Sequence, residues 1–316
     1  AWQLDMEAPV WRFRLFGVDV CTYNPEFIFT CYGLTKGKDG IKRLQLRPNP
    51  WFEAMMNRFL ANKINFWQEH KAAKISYLTE DPNFKEASGG GHFVAFDPWH
   101  PLGITLYKEL YKTWMRYTQN YPVFCYELFN EMSYDNTHAL SRNAFRDSMR
   151  RKYKTIQALN EAWNSAFTSF ADIDAPGYLS DHGDKEIARD KFYLEECAKY
   201  PALMVEWQHF QEARCAEAVK TLMPIMRSYD PDPKVFSTLQ SEMAWWMDHT
   251  GSGVGTEAMT AVSDFYSHEI GTGLIESGNY RSYPYAAKMI RTGFVGDLVR
   301  GFNPDGPVFN AEAPLT

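Results

Sequence analysis

The sequence predicts an α/β fold of the TIM (β/α)8 barrel type, and three observations carry that expectation. Short apolar, β-branched or aromatic runs alternate with longer helical stretches, which is the pattern of βα units around a parallel sheet. The length, 316 residues, suits one barrel, which typically needs about 250. Hydrophobic residues make up 45% of the chain against 23% charged, enough apolar material for a single large core over residues 1–316.

Taken in order, the candidate strands are residues 13–23, 64–70, 92–96, 122–131, 235–240, 262–268 and 307–312, with 27–32 as a further possibility. Helices are expected over 51–62, 101–118, 206–228 and 285–302. The third of these stops before Asp230-Pro231-Asp232-Pro233, and the fourth before Asn303-Pro304-Asp305-Gly306, both clusters that break a helix. Between the fourth strand and the long helix, residues 133–205 form an insertion too long for a simple βα loop, with a helix expected over 141–163. Insertions of this kind commonly shape a cleft. Seven strands leave the eighth of the barrel absent, so the expectation is a chain truncated at its C-terminal end.

Composition narrows the function. A net charge of −6 with scattered basic residues disfavours a nucleic-acid surface. The densest basic cluster, Arg146 to Lys154, reads as a solvated helix face. No apolar run approaches the roughly 18 residues of a membrane span. Five cysteines, odd in number and without a CxxC pair, read as buried free thiols. The compartment stays open between secreted or periplasmic and cytoplasmic. A homo-oligomer is compatible with the sequence, and no cofactor or metal is expected.

The chemistry concentrates at two strand ends. In Tyr121-Pro-Val-Phe-Cys-Tyr-Glu-Leu-Phe-Asn-Glu-Met-Ser133 an apolar strand ends on Asn130 and Glu131. Strand C-termini of a parallel barrel feed the active site, where a partly desolvated carboxyl group holds a proton near neutral pH. Glu131 is therefore the candidate general acid/base, and Asn130 a donor to a sugar 2-hydroxyl. Glu127, read as mid-strand, is the competitor. The second carboxylate is Glu312 in Pro307-Val-Phe-Asn-Ala-Glu-Ala-Pro314. Two carboxyl groups about 5–5.5 Å apart form the pair of a retaining glycosidase, with Glu312 as nucleophile. Tyr266 or His268 would orient that nucleophile, with Tyr266 preferred. Trp245 and Trp246 are candidate stacking platforms, and Trp67 and His70 candidate lining groups, with an oligosaccharide or glycoside as partner.

Two other readings compete. One is a metal-dependent barrel hydrolase built on His70, His92, Asp97, His100 and His268, without a recognised ligand spacing among them. The other is a barrel that binds carbohydrate but lacks activity, which would gain nothing from two facing carboxylates.

Beyond the glutamates, Phe145 to Phe167 (FRDSMRRKYKTIQALNEAWNSAF) resembles the segment after the acid/base strand in glycoside hydrolase family 42, the β-galactosidases. Glu206-Trp-Gln-His-Phe and Arg227-Ser-Tyr-Asp-Pro-Asp are similar to that family's following helix and its exit, and the resemblance runs from about Val123 to Glu312. It implies a (β/α)8 barrel and β-galactosidase-like hydrolysis with retention at Glu131 and Glu312. The chain departs from the family at Tyr126-Glu-Leu-Phe-Asn-Glu131, where Trp-Gln-x-Asp-Asn-Glu is usual. It also departs around Asn310-Ala-Glu-Ala-Pro314 and in lacking the cysteine cluster of zinc-bearing members.

Overall fold

A computed structural model describes residues 20–23, 29–40, 42–48, 50–68, 88–91, 94–128, 139–176, 198, 200–229, 236–241, 255–268, 297, 300–306 and 308–310. Its centre is a six-stranded, all-parallel sheet. The strands are β1 (Val20–Tyr23), β4 (Asn65–Gln68), β7 (Val123–Glu127), β8 (Phe236–Ser241), β9 (Phe265–His268) and β10 (Val308–Asn310), adjacent in that order. Each pair is in parallel register, with Tyr23 opposite Gln68, Gln68 opposite Tyr126, Tyr126 opposite Ser237 and Ser241 opposite His268. Six of the seven expected strands lie in this sheet.

The seventh does not. β6 (Val94–Phe96) pairs antiparallel with β5 (Ser88–Gly91) in a separate hairpin, so the apolar run at 92–96 is not a barrel strand. A second hairpin, β2 (Phe29–Lys36) with β3 (Lys42–Pro48), occupies the region where 27–32 was a possible strand. Gly40 closes its turn at φ 79°, a left-handed conformation that glycine adopts without steric cost, and Gly40 N–H donates to the Gly37 carbonyl at 2.9 Å. A short apolar, β-branched or aromatic run identifies a strand without revealing its partner. Hairpins and barrel strands therefore look alike in sequence.

The helices are α1 (Pro50–Ala61), α2 (Pro101–Thr118), α3 (Ala139–Tyr153), α4 (Ile156–Trp163), α5 (Pro201–Arg227) and α6 (Thr256–Thr260). α1 stops at a Schellman turn: Lys63 takes φ 54° and Ile64 N–H donates to the Phe59 carbonyl at 3.0 Å. Ile64 and Phe59 are both buried, the apolar contact such a turn favours. Pro101 and Pro201 occupy the first turns of α2 and α5, where a missing N–H costs nothing. The single helix expected over 141–163 is two. Lys154 turns left-handed at φ 65°, and Thr155 caps α4 by accepting from Ala158 N–H at 3.2 Å. Of the helix expected over 285–302, the described residues 297 and 300–302 are helical.

α3, α4 and the start of α5 close on a core of Phe145, Met149, Leu159, Trp163, Ile173, Leu203, Trp207 and Phe210. Phe145 meets Trp207 and Phe210 edge-on at 5.0 and 5.3 Å between ring centroids. The basic cluster is more than a solvated face, because its neutralising partners come from elsewhere in the chain. Arg142 and Arg146 both bind Asp174, whose side chain is only 12% exposed, and Arg146 Nε also donates to the Ile173 carbonyl at 2.6 Å. This clasp holds buried Ile173 and Ala175 against α3. One turn along, Glu206 accepts from Lys152 Nζ and from Tyr153 Oη, both at 2.5 Å, while Trp163 Nε1 donates to the same phenol at 3.0 Å. Arg150 and Arg151 remain exposed. Cys125 and Cys215 are both buried cysteines outside any disulfide, and burial pushes the Cys215 thiol well above its ordinary value. No helix among the described residues is long and apolar enough to cross a membrane.

Replacing Asp174 by Asn leaves two half-buried guanidinium groups without their anion. The expected loss is about 1–3 kcal/mol, read as a lower urea midpoint with an unchanged slope. The Glu206 network adds a pH dependence. Its hydrogen bond raises the Lys152 ammonium, and burial followed by the bond to Glu206 raises the Tyr153 phenol. Both groups hold protons longer in the folded chain, so their stabilisation is complete below about pH 10 and is lost as pH rises through the folded values. Urea midpoints measured from neutral to alkaline pH should fall at the high end, and the fall should flatten in Glu206→Gln.

Candidate active site at the C-terminal edge of the sheet

Because the six strands are parallel, their C-terminal ends share one edge, and every expected site residue lies in one of these strands or in the chain just beyond its end. β7 ends at Glu127, opposite Thr238 of β8, so Glu127 is a strand terminus and not the mid-strand residue expected. Asn130 and Glu131 come three and four residues later in the chain and lie outside the described residues. β10 ends at Asn310, two residues before Glu312, which is also outside them. Trp245, Trp246 and His70 fall outside as well.

Three expected residues have described backbones. Trp67 on β4 stands opposite Thr22 on one side and Cys125 on the other. Tyr266 lies between Leu239 and Val308. His268 is the last residue of β9, in one lateral row with Ser241 and Asn310. The backbone thus brings His268 into register two residues ahead of Glu312, with Tyr266 two residues behind it on the same strand.

The scaffold beneath the β7 terminus is tightly made. Cys125, Tyr126 and Leu128 are buried, and Tyr126 Oη shares a 3.3 Å hydrogen bond with Thr118 Oγ1 at the end of α2. α2 in turn stacks Tyr107 on Tyr111 at 5.7 Å and sets Tyr107 edge-on to Phe96 at 5.4 Å. Tyr107 Oη donates to the Phe96 carbonyl at 3.2 Å. Burial raises both phenols above the ordinary tyrosine value, which keeps them neutral. The start of α2 is held just as closely. His100 Nδ1 accepts from Leu102 N–H at 3.2 Å, and Asp97 Oδ1 accepts from Trp99 N–H at 2.9 Å.

Those contacts make His100, one member of the possible metal set, the cap of α2, and set Asp97, another member, in the turn just before it. Among the described residues no group of three or more His, Cys, Asp or Glu comes together as a metal would need. His70 and His92 lie outside the described residues, and of His268 only the backbone is described.

Arg214 was not foreseen. Its guanidinium lies 3.9 Å from the Trp99 ring centroid and 5.6 Å from that of Phe210, tying the middle of α5 to the segment before α2. Its buried Nε has no hydrogen-bond partner, as suits a planar cation held between ring faces. Helical spacing marks Arg214 as lying on α5 but carries no sign of which ring it covers.

The family model for glycoside hydrolase family 42, described as beta-galactosidase, matches residues 103–313, about two thirds of the chain. The chain belongs to glycoside hydrolase family 42. It is 24% identical over 209 residues to the beta-galactosidase LacZ of Lactobacillus acidophilus, an overlap covering 63% of this chain and 27% of that protein. Among solved structures, the cold-adapted beta-galactosidase of Rahnella sp. R3 matches with a TM-score of 0.68 at 15% identity, over 98% of this chain and 42% of that one. A family 42 exo-carrageenase from Bacteroides ovatus matches with a TM-score of 0.59 at 18% identity, over 93% of this chain and 38% of that one. The family 42 chain therefore spans between about a quarter and two fifths of the length of these relatives.

Gly103 tests how closely the segment before α2 is packed beside this edge. A Cβ there would sit 2.9 Å from the Asp97 carbonyl carbon and closer still to its oxygen, and neither backbone atom can rotate away. Gly103→Ala should destabilise by about 1–3 kcal/mol despite alanine's better helix propensity, checked by its urea midpoint.

Proposed function

We propose that this family 42 chain is the catalytic barrel of a retaining β-glycosidase acting on β-galactosides, with Glu131 as general acid/base and Glu312 as nucleophile. One observation carries the reading: each glutamate comes within four residues of the C-terminal end of a strand in the same parallel sheet. β7 is third and β10 sixth in the sheet order. In an eight-stranded barrel, strands three places apart stand nearly opposite across the mouth, so residues just beyond their ends converge over the axis. In this proposal the six parallel strands form an arc of such a barrel.

In the proposed cycle Glu312 attacks the anomeric carbon while Glu131 protonates the departing glycosidic oxygen, and the C–O bond breaks as the glycosyl-enzyme ester forms. Glu131, now a carboxylate, deprotonates a water that hydrolyses the ester and restores both groups. Asn130 donates to the 2-hydroxyl, where the contact strengthens as positive charge develops on the ring. Tyr266, or His268 one strand from Glu312, holds the nucleophile ionised and aimed. Trp245 and Trp246 supply stacking faces, and Trp67 and His70 line the early part of the mouth. The substrate is an oligosaccharide or simple glycoside, and the cycle uses no metal or organic cofactor.

The test is hydrolysis of p-nitrophenyl β-galactoside by the chain and its variants. Glu131→Ala and Glu312→Gln should each lower the rate by at least about a hundredfold, the usual cost of removing an acid/base group. Azide should partly restore Glu131→Ala by taking the place of water at the glycosyl-enzyme. Glu127→Gln, four residues before Glu131, should cost far less. A rate insensitive to both Glu131 and Glu312 ends this assignment, and so does a collapse that tracks Glu127 alone.

A further inference from the structure

Away from the strand ends, a cavity of about 270 Å³ opens where the end of α4 meets the start of α5. Trp163 and Phe167 are among its lining residues, and their rings meet each other edge to face with centroids 6.3 Å apart and planes at 83°. Tyr200, Asn164, Ser165, Ala166 and Leu203 also line it. Asn164 and Ala166 are exposed, while Trp163 is nine-tenths buried.

The wall is rigid, and the reason is one side chain. Asn160 donates to the Phe167 carbonyl at 2.8 Å and accepts from Phe167 N–H at 3.0 Å and from Ser165 Oγ at 2.9 Å. Ser165 N–H closes a Schellman turn onto the Asn160 carbonyl at 3.0 Å, with Asn164 in the left-handed region at φ 52°. Trp163 is fixed through its bond to Tyr153 and hence to Glu206. A concave, pre-formed site of mixed ring faces and amide or hydroxyl groups is thus built into the fold.

Its place relative to the sheet is set by α5. Arg227, the last residue of that helix, pairs with Asp264, immediately before β9, so α5 ends at the N-terminal edge of the strands. Its 27 residues extend about 40 Å, twice the roughly 20 Å of a six-residue strand. The start of α5, and the cavity with it, therefore lies away from that N-terminal edge, and Arg214 midway along the helix already reaches Trp99 in the segment before α2.

We propose that this cavity is a second, non-catalytic sugar site that takes one pyranose unit of a galactoside chain, whose remainder reaches the catalytic edge. The volume lies just under the roughly 300–1,000 Å³ of ordinary small-molecule sites, a size that suits a single ring. Its lining combines apolar Trp163, Phe167 and Leu203 with polar Asn164, Ser165 and Tyr200, the mixture of apolar and hydrogen-bonding surface that a pyranose itself presents. The choice of galactosides rests on the proposed β-galactosidase function; the existence of the site rests on its geometry.

The experiment titrates methyl β-galactoside, a single ring that cannot bridge two sites, into the full chain carrying Glu312→Gln, with calorimetric detection. Two binding events are expected. Ala166→Trp, which fills the cavity from its exposed rim, should abolish one of them while leaving p-nitrophenyl β-galactoside hydrolysis unchanged in the otherwise native chain. Asn164→Gly, which keeps the left-handed backbone and removes only the amide, should weaken the same event about tenfold. A single event in the parent, or two events that survive both substitutions, overturns the second site and leaves the catalytic assignment untouched. An event sensitive to Ala166 in a chain that hydrolyses no galactoside upholds the site and overturns the catalytic reading instead.

Discussion

Parallel register is the constraint on which the rest depends. Six strands running one way cannot be joined by tight turns, so each connection must carry the chain back across a face of the sheet, usually as a helix. The consequence is directional. Every strand in the sheet releases its chain at the same edge, and the return helices descend from that edge. α2 descends from the segment holding Asp97 and His100, and its last turn meets β7 through Thr118 and Tyr126. α5 descends from Tyr200 and ends at the Arg227–Asp264 pair. Residues that follow these strands in the chain therefore all leave from one edge of the sheet.

The segment between β7 and α5 is built on a different principle. Its described residues carry no sheet, and their packing depends on aromatic rings locked by ionic and amide groups. Asp174 draws two arginines of α3 onto a loop just after the 3₁₀ turn Phe170–Asp172, and Glu206 joins α3 to α5 while orienting the Tyr153–Trp163 pair. Half-buried charges of this sort contribute less net stability than their Coulomb attraction suggests, since desolvation offsets much of it. What they confer is register: each carboxylate accepts from two partners whose spacing only one packing of the helices satisfies. That rigidity is what makes the α4–α5 cavity a fixed shape.

Family 42 membership and fold likeness bear on specificity differently. At 15–18% identity the fold is shared with enzymes named for different substrates, a beta-galactosidase and an exo-carrageenase. A framework common to both cannot itself select a sugar. Beside that framework, the described side chains that set local shape include the Trp163–Phe167 pair between β7 and α5 and, on α5 itself, Arg214, which bridges two aromatic rings.

The amino-acid sequence alone determined the alternation of strand and helix, six of the parallel strands, and the candidate glutamates, because periodicity and turn chemistry are local and survive without neighbours. It also marked 145–167 as family 42 text. What the tertiary structure decided was partnership. The run at 92–96 became half of an antiparallel hairpin, Glu127 became a strand terminus, and α3 separated from α4 at Lys154 and Thr155. Arg146 and Lys152, which share a helix with solvent-facing Arg150 and Arg151, found buried anions 28 and 54 residues further along the chain. Hydrogen bonds and ion pairs between distant residues leave no periodic trace in sequence, since each depends on where the whole chain brings its partner.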